Sequence, residues 1–193
     1  MDGMTEIVLF HHVQGLTDGV RALAARFEAA GHTVHLPDLL DGKIFATVPE
    51  GLAYAQEIGF SRIAERGRAA ADALPEDVVY AGISMGALPA QMLAQTRPGA
   101  RGAVLLEGCL PVSEFGAWPK SVPVQVHGMD EDPFFAGEGD VDAARELVKE
   151  AADGELFLYP GTVHLFTDSS LPSYDADATA LVVERATAMI SKH

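Results

Sequence analysis

The segment Val78-Val79-Tyr80-Ala81-Gly82-Ile83-Ser84-Met85-Gly86-Ala87 is the most informative part of this chain. It begins as an apolar, β-branched run typical of a buried strand, and the residues from Ser84 to Thr96 have a helical pattern. Between the two lies the pattern Gly-x-Ser-x-Gly, which predicts a tight turn from strand into helix. Small residues are needed two positions either side of the serine, because larger side chains would clash in so sharp a turn. We expect the turn to project the Ser84 hydroxyl out of the sheet at the positive end of a helix.

The rest of the chain alternates short apolar runs with longer segments of helical period. Most of the runs are continuously apolar, as expected of strands buried on both faces of a parallel sheet. This order predicts an α/β fold with a mainly parallel, doubly wound sheet, in one domain over residues 1–193. The predicted strands are Ile7–Phe10, Thr33–Leu36, Val78–Ala81, Ala103–Leu106, Val122–His127 and Glu155–Tyr159. The predicted helices follow Thr17, span Ile63–Leu74 and Ser84–Thr96, and begin at Asp140 and Asp175.

Three stretches have no regular pattern, namely Leu39–Phe60, Glu107–Ser121 and Thr162–Ser173. Ligands of an open parallel sheet bind beyond the carboxyl ends of its strands. Two of these stretches begin directly after predicted strands, so we expect them to form the walls of a site. The stretch Glu107–Ser121 is too short to build a lid domain, and we therefore expect a lidless, open and shallow site for a small substrate.

The composition excludes several classes of function. With 13 Lys and Arg against 28 Asp and Glu, the formal charge is −15, which would repel phosphate backbones and anionic lipid. We therefore expect no nucleic-acid partner and no membrane partner. The single cysteine, Cys109, cannot form an internal disulfide, and the apolar run Ile7–Phe10 is too short for a signal sequence or membrane span. These features favour a cytoplasmic protein, either a monomer or a homodimer.

A nucleophilic serine requires a histidine base and an acid that orients it, and on this type of strand–turn–helix scaffold they follow in the order serine, acid, histidine. Two acids, Asp130 and Asp132, come shortly after the predicted strand that ends at His127. His164 lies in the loop after the last predicted strand. All three components therefore fall at the same edge of the sheet in the required order, with either acid eligible.

These motifs resemble those of the dienelactone hydrolase family of α/β-hydrolases. The resemblance rests on Gly82-Ile83-Ser84-Met85-Gly86, on Val124-Gln125-Val126-His127 followed by Asp132-Pro133-Phe134, and on Tyr159-Pro160-Gly161 leading to His164-Leu165-Phe166. It implies a single-domain α/β-hydrolase fold and a serine hydrolase that cleaves small carboxylic esters or lactones. The acid of the family lies five residues after the strand-end histidine, which here implies Asp132 rather than Asp130.

The expected mechanism is attack of Ser84 on the substrate carbonyl, with His164 as base and Asp132 as orienting acid. The backbone N–H groups of Met85, directly after the nucleophile, and of Val13, by resemblance, would hold the oxyanion. Such a mechanism needs neither a metal ion nor an organic cofactor.

The sequence departs from the family pattern in ways that affect specificity. Members that open dienelactones have a cysteine in place of Ser84 and a glutamate in place of His12. They also have an arginine that grips the substrate carboxylate, where this chain has Asp168. The resemblance therefore does not imply specificity for an anionic dienelactone. We expect His12 and Trp118 to border the substrate pocket.

Two other functions fit the same sequence. The scaffold could serve as a non-catalytic binding or regulatory domain, although the presence of all of Ser84, Asp132 and His164 disfavours this interpretation. The same residues could also cleave an amide, a thioester or a peptide, and nothing in the sequence separates these acyl donors.

Overall fold

The computed structural model describes residues 4–193, in which six parallel strands form one sheet. The strand order is β2-β1-β3-β4-β5-β6, so the chain runs outward from β1 in both directions. This confirms the predicted parallel α/β architecture, with strand ends that differ from the predicted ones by one or two residues. The first three residues of the predicted domain lie outside the described residues. The strands are β1 (Glu6–Phe10), β2 (Thr33–His35), β3 (Val79–Ile83), β4 (Gly102–Leu106), β5 (Val124–Met129) and β6 (Gly154–Tyr159).

Helices pack on both faces of the sheet, as a doubly wound fold requires. Strands β3, β4 and β5 are buried along their whole length, which explains why the sequences of β3 and β4 are continuously apolar. One core cluster joins the sheet to α1 and α6, and a second joins the opposite face to α2, α3, α4 and α5. The helices are α1 (Asp18–Ala29), α2 (Val48–Ile58), α3 (Phe60–Asp72), α4 (Ala87–Thr96), α5 (Asp140–Glu150) and α6 (Ala176–Lys192).

The stretch Leu39–Phe60 was expected to be irregular, and this prediction was wrong because the stretch contains α2. Thr47 caps this helix by accepting a hydrogen bond from the Glu50 N–H at 3.3 Å. A glycine in its first turn obscures the helical pattern, but Gly51 has a packing role. A Cβ added there would lie 2.1 Å from the carbonyl oxygen of Val13, so helix and loop can only meet at a glycine.

Two predicted helix starts need smaller corrections. Residues Ser84–Gly86 form a 3-10 turn before α4 begins at Ala87. Asp140 is the first residue of α5 rather than its cap, and its carboxylate accepts a hydrogen bond from the Cys109 N–H at 3.1 Å. The predicted caps Thr17 and Asp175 each accept a hydrogen bond from the first turn of their helix, as expected.

No lid domain follows β4 at the edge of the sheet where the strands end. Residues 107–121 contain a single 3-10 turn, Val112–Glu114, and no lid, as predicted. Among residues 4–193, no helix is both long enough and apolar enough to span a bilayer.

Candidate active site

The turn after β3 holds Ser84 in a strained backbone conformation, with a φ of +52°. A Cβ added to Gly82 would lie 2.0 Å from the Gly86 carbonyl oxygen, and one added to Gly86 would lie 2.2 Å from the Phe10 carbonyl oxygen. Both glycines are therefore required by the close approach of the backbone to itself and to the end of β1. The predicted strand–turn–helix motif forms in the structure, and it presents the serine at the carboxyl edge of the sheet.

Three side chains from three different loops meet at this edge. The Oγ atom of Ser84 lies 2.9 Å from Nε2 of His164. On the other side of the imidazole, Nδ1 of His164 lies 2.6 Å from Oδ2 of Asp132. The three predicted residues thus form one continuous line of hydrogen bonds, in the geometry that serine activation needs.

The two acids after β5 occupy different environments. Asp132 is fully buried, and its second oxygen, Oδ1, accepts hydrogen bonds from the N–H groups of Phe134 and Phe135 at 2.8 and 3.2 Å. Asp130 is exposed and accepts a hydrogen bond from the Gly161 N–H at 3.0 Å. The carboxylate beside His164 therefore belongs to Asp132, while Asp130 holds the start of the His164 loop.

The surroundings of His164 favour its protonated form. Burial by itself lowers the pKa of this imidazole, but the hydrogen bond to Asp132 and the negative charges of Glu107, Asp132 and Asp140 outweigh that effect. The net result is a pKa above the usual histidine value. An imidazole with a raised pKa is a stronger base, so its neutral form takes a proton readily from a neighbouring hydroxyl.

Glu107, directly after β4, is a further acid at this site that the sequence motifs did not predict. Its side chain is buried, and its Oε1 accepts a hydrogen bond from the Phe166 N–H at 2.9 Å. Burial raises its pKa to about 7, against the opposing effect of the nearby His164. The available signal was an acidic residue placed immediately after the apolar run Gly102–Leu106.

A cavity of about 450 Å³ opens beside Ser84. Its walls are mainly apolar, and Glu107, Glu138 and Asp140 are the acidic residues among those that line it. Val13 and Met85, whose N–H groups are predicted to hold an oxyanion, both line it. The remaining lining residues are Val48, Leu52, Phe60, Ser84, Leu88, Leu110, Phe134 and His164.

The prediction that His12 borders the pocket was wrong. His12 is fully buried, with Nε2 2.7 Å from Oδ2 of Asp168. The Gln14 N–H donates to Nδ1 of His12 at 3.1 Å, so the proton of the neutral imidazole lies on Nε2 and points to Asp168. Hydrogen bonds from His12, Ser170 and Thr17 outweigh the effect of burial and lower the pKa of Asp168 to about 2.

The prediction that Trp118 borders the pocket was also wrong. Its Nε1–H donates to the Val122 carbonyl oxygen at 2.8 Å, and its ring is buried in the core. A tryptophan needs a partner for its N–H when it is buried, and the loop supplies one away from the cavity.

Glu107, Asp132 and His164 each offer an atom within 4.8 Å of the others, which is a spacing that a metal ion could use. However, Nδ1 of His164 and Oδ2 of Asp132 are already hydrogen-bonded to each other, and Nε2 of His164 faces Ser84. The arrangement is thus a hydrogen-bonded set of side chains, and its donor atoms do not fit an open metal site.

The model of the dienelactone hydrolase family matches residues 3–193. This chain belongs to the dienelactone hydrolase family. It is therefore a hydrolase with the α/β-hydrolase fold, as the sequence motifs implied. No curated protein matches the chain in sequence.

Solved structures share the fold of this dienelactone hydrolase family member at low sequence identity. A dienelactone hydrolase-like promiscuous phosphotriesterase from metagenomic libraries is 22% identical, with a TM-score of 0.76 over 97% of this chain and 86% of that one. Mouse alpha/beta hydrolase domain-containing protein 10 is 13% identical, with a TM-score of 0.70 over 97% and 90% of the two chains. Thermogutta terrifontis esterase 2, in a form phosphoramylated by tabun, is 17% identical, with a TM-score of 0.60 over 98% and 83%.

Proposed function

We propose that this dienelactone hydrolase family member is a serine esterase that cleaves small carboxylic esters or lactones through an acyl-enzyme on Ser84. The observation that carries the proposal is the unbroken line from the Ser84 hydroxyl through His164 to the buried carboxylate of Asp132, with contacts of 2.9 and 2.6 Å. Family membership supports a hydrolase, and this line supports a nucleophilic serine within it.

In the first half of the reaction, Nε2 of His164 takes the proton of Ser84 as Oγ attacks the substrate carbonyl. Asp132 holds the proton-bearing Nδ1 and stabilises the imidazolium that forms. The N–H groups of Met85 and Val13 would bind the oxyanion, because both residues lie beside Ser84 in the cavity wall. His164 then passes its proton to the leaving alcohol.

In the second half, water takes the place of the alcohol. His164 removes a proton from that water as it attacks the acyl-enzyme, and the acid is released with Ser84 restored. Every proton transfer in this cycle uses Nε2 of one histidine, so the proposal requires neither a metal ion nor an organic cofactor.

The cavity supports a small substrate. Its volume of about 450 Å³ lies toward the small end of ligand pockets, and Leu52, Leu88 and Leu110 give it an apolar wall. The absence of a lid in residues 107–121 leaves one side in solvent. A short acyl chain would be buried against the leucines while the alcohol portion faces outward.

A purely binding role is disfavoured by the backbone of Ser84. A φ of +52° in a residue other than glycine costs free energy of order 1–3 kcal/mol. Binding alone does not require that cost, whereas a nucleophile aimed at a bound carbonyl does. Amide, thioester and peptide donors use the same geometry and are distinguished by assay.

The test is hydrolysis of a series of short-chain 4-nitrophenyl esters by the wild type and Ser84→Ala, with a fluorophosphonate label run alongside. We expect turnover and labelling of the peptide that carries Ser84, and loss of both in the variant. Wild-type protein that neither turns over esters nor takes the label would overturn the proposal and favour the binding role.

A further inference from the structure

A second acid lies beside the proposed catalytic histidine. Glu107 directly follows β4 and has a φ of +58°, in the left-handed region that ordinary residues avoid. Its N–H donates to the His127 carbonyl oxygen at 2.7 Å, which ties the strained residue to the neighbouring strand. Residues other than glycine that are held at a positive φ cluster at functional sites, and Glu107 lines the cavity beside Ser84.

The carboxyl of Glu107 is close enough to act on His164 electrostatically. One oxygen of Glu107, one ring nitrogen of His164 and one oxygen of Asp132 lie within 4.8 Å of one another. The hydrogen bond from Phe166 to Oε1 of Glu107 fixes the carboxyl against the loop that carries His164. At such a distance, an anion in a buried site favours the charged form of an imidazole.

The other charged groups that act on this histidine come from two elements. Asp132 approaches from the loop after β5, and Asp140 approaches from the start of α5. Both are acids, so no cation from these elements opposes Glu107. Because Glu107 is the most buried of the groups that do not touch the ring, its charge is the least screened by solvent.

We propose that Glu107 is a positioning residue, a second acidic partner of His164 whose carboxylate stabilises the imidazolium formed when Ser84 gives up its proton. This inference rests on the proposed function, since the imidazolium is an intermediate of that mechanism. Glu107 neither touches the reacting bond nor transfers a proton. Its contribution grows as it ionises, around neutral pH, because burial raises its pKa to about 7.

The direct test is an NMR titration of the His164 ring in the resting protein, which requires no substrate. Replacing Glu107 by Gln removes the negative charge but keeps an oxygen for the Phe166 N–H. We expect Glu107→Gln to lower the pKa of His164 by about 1 unit. The matched control is Glu131→Gln, the same substitution at an exposed position beside Asp132, which should leave that pKa in place.

The wild type supplies a second measurement that needs no variant. The side-chain carboxyl carbon of Glu107 should titrate near neutral pH, and its titration curve should respond to that of His164, since the two groups are coupled. An unchanged His164 pKa in Glu107→Gln, or a Glu107 carboxyl that titrates at the ordinary value for glutamate, would overturn the inference.

The pH profile of ester hydrolysis separates this inference from the proposed function. The acidic limb of kcat/KM should move to lower pH in Glu107→Gln, and the plateau should fall, because the imidazolium is less stabilised. A variant that is merely misfolded would lose activity without moving the limb. Failure of the Ser84→Ala test would remove the proposed function, whereas the titration of His164 would still report whether Glu107 acts on it.

Discussion

At the scale of single residues, the two acids after β5 show how the same functional group takes different roles two positions apart. Asp132 is buried, touches His164 and has its other oxygen satisfied by two N–H groups. Asp130 is exposed and bonds a backbone N–H of the His164 loop. Only Asp132 is placed to hold the imidazole in one orientation, so the same substitution at the two positions should have different effects on activity.

We expect Asp132→Asn to lower kcat for ester hydrolysis by about 10⁴-fold, because an amide at this position favours the wrong tautomer of His164. Asp130→Asn is the matched control and should retain most of the activity. Steady-state kinetics with one short-chain 4-nitrophenyl ester compare the two variants. Equal losses in both would contradict the assignment of Asp132.

The proposed nucleophile and base were predictable from the sequence because each follows a predicted strand, whereas the same reasoning left Asp130 and Asp132 both eligible, and the choice of Asp132 came from the resemblance to the family. The sequence also predicted that His12 follows the first strand, but it did not predict the direction in which the His12 side chain points. Which way a side chain points at a strand end depends on its partner, and the partner of His12 is Asp168, more than a hundred residues later. Glu107 was missed for the same reason, since its role depends on loops that are distant in the sequence.

At the scale of elements, the contact between His12 and Asp168 joins the loop after β1 to the loop after β6. Thr17, the cap of α1, also donates to Asp168. The contact fixes the loop of Val13 relative to the loop of His164.

This contact should make the protein sensitive to acid. The pKa of Asp168 is lowered to about 2 in the folded protein, below its value in the unfolded chain, so its ionised form stabilises the fold. The contribution, about 2 kcal/mol, is present above about pH 4 and is lost as the pH falls to about 2. Urea unfolding of the wild type and Asp168→Asn should show a difference in free energy that shrinks over this window.

The exposed acid Asp177, replaced by Asn, is the control for that measurement, and its effect should be small at every pH. A stability difference between the wild type and Asp168→Asn that stays constant through the acidic window would show that ionisation of Asp168 does not stabilise the fold.

The turn that carries Ser84 depends on glycine more than on any side chain. A Cβ at Gly86 would meet backbone on β1 at 2.2 Å, and backbone cannot move aside without disturbing the sheet. Gly86→Ala should therefore lower the free energy of unfolding by about 2 kcal/mol or more and abolish fluorophosphonate labelling of Ser84. In Gly102→Ala, whose added Cβ would have its nearest neighbour at 3.4 Å, both should remain close to wild type.

If Gly86→Ala is as stable and as readily labelled as Gly102→Ala, the close approach between the turn and β1 is not required. The need for glycine at this turn is readable from sequence because the motif is local. Helix α2 could not be predicted from the sequence, because the need for a glycine at position 51 comes from its close contact with the Val13 loop, which is distant in the chain.

At the scale of the whole molecule, the net negative charge of the chain and the acidic lining of the cavity both disfavour an anionic substrate. The chain carries a formal charge of −15, and the cavity beside Ser84 is lined by Glu107, Glu138 and Asp140. Among the described residues that line it, none is a lysine or an arginine. A substrate carboxylate would approach a negative surface and find no cation to pair with, so the chain should discriminate by charge as well as by size.

We expect kcat/KM for the 4-nitrophenyl monoester of glutaric acid to be at least about tenfold below that for 4-nitrophenyl pentanoate, which has an acyl chain of the same length without the carboxylate. Added salt should raise the rate for the anionic ester and leave the neutral one nearly unchanged, because screening weakens a long-range repulsion. Glu138→Gln should narrow the gap, since this exposed acid lies at the cavity wall. Equal kcat/KM values for the two esters at low salt would mean that the acidic wall does not select substrates, leaving the apolar surface of the cavity as the basis of specificity.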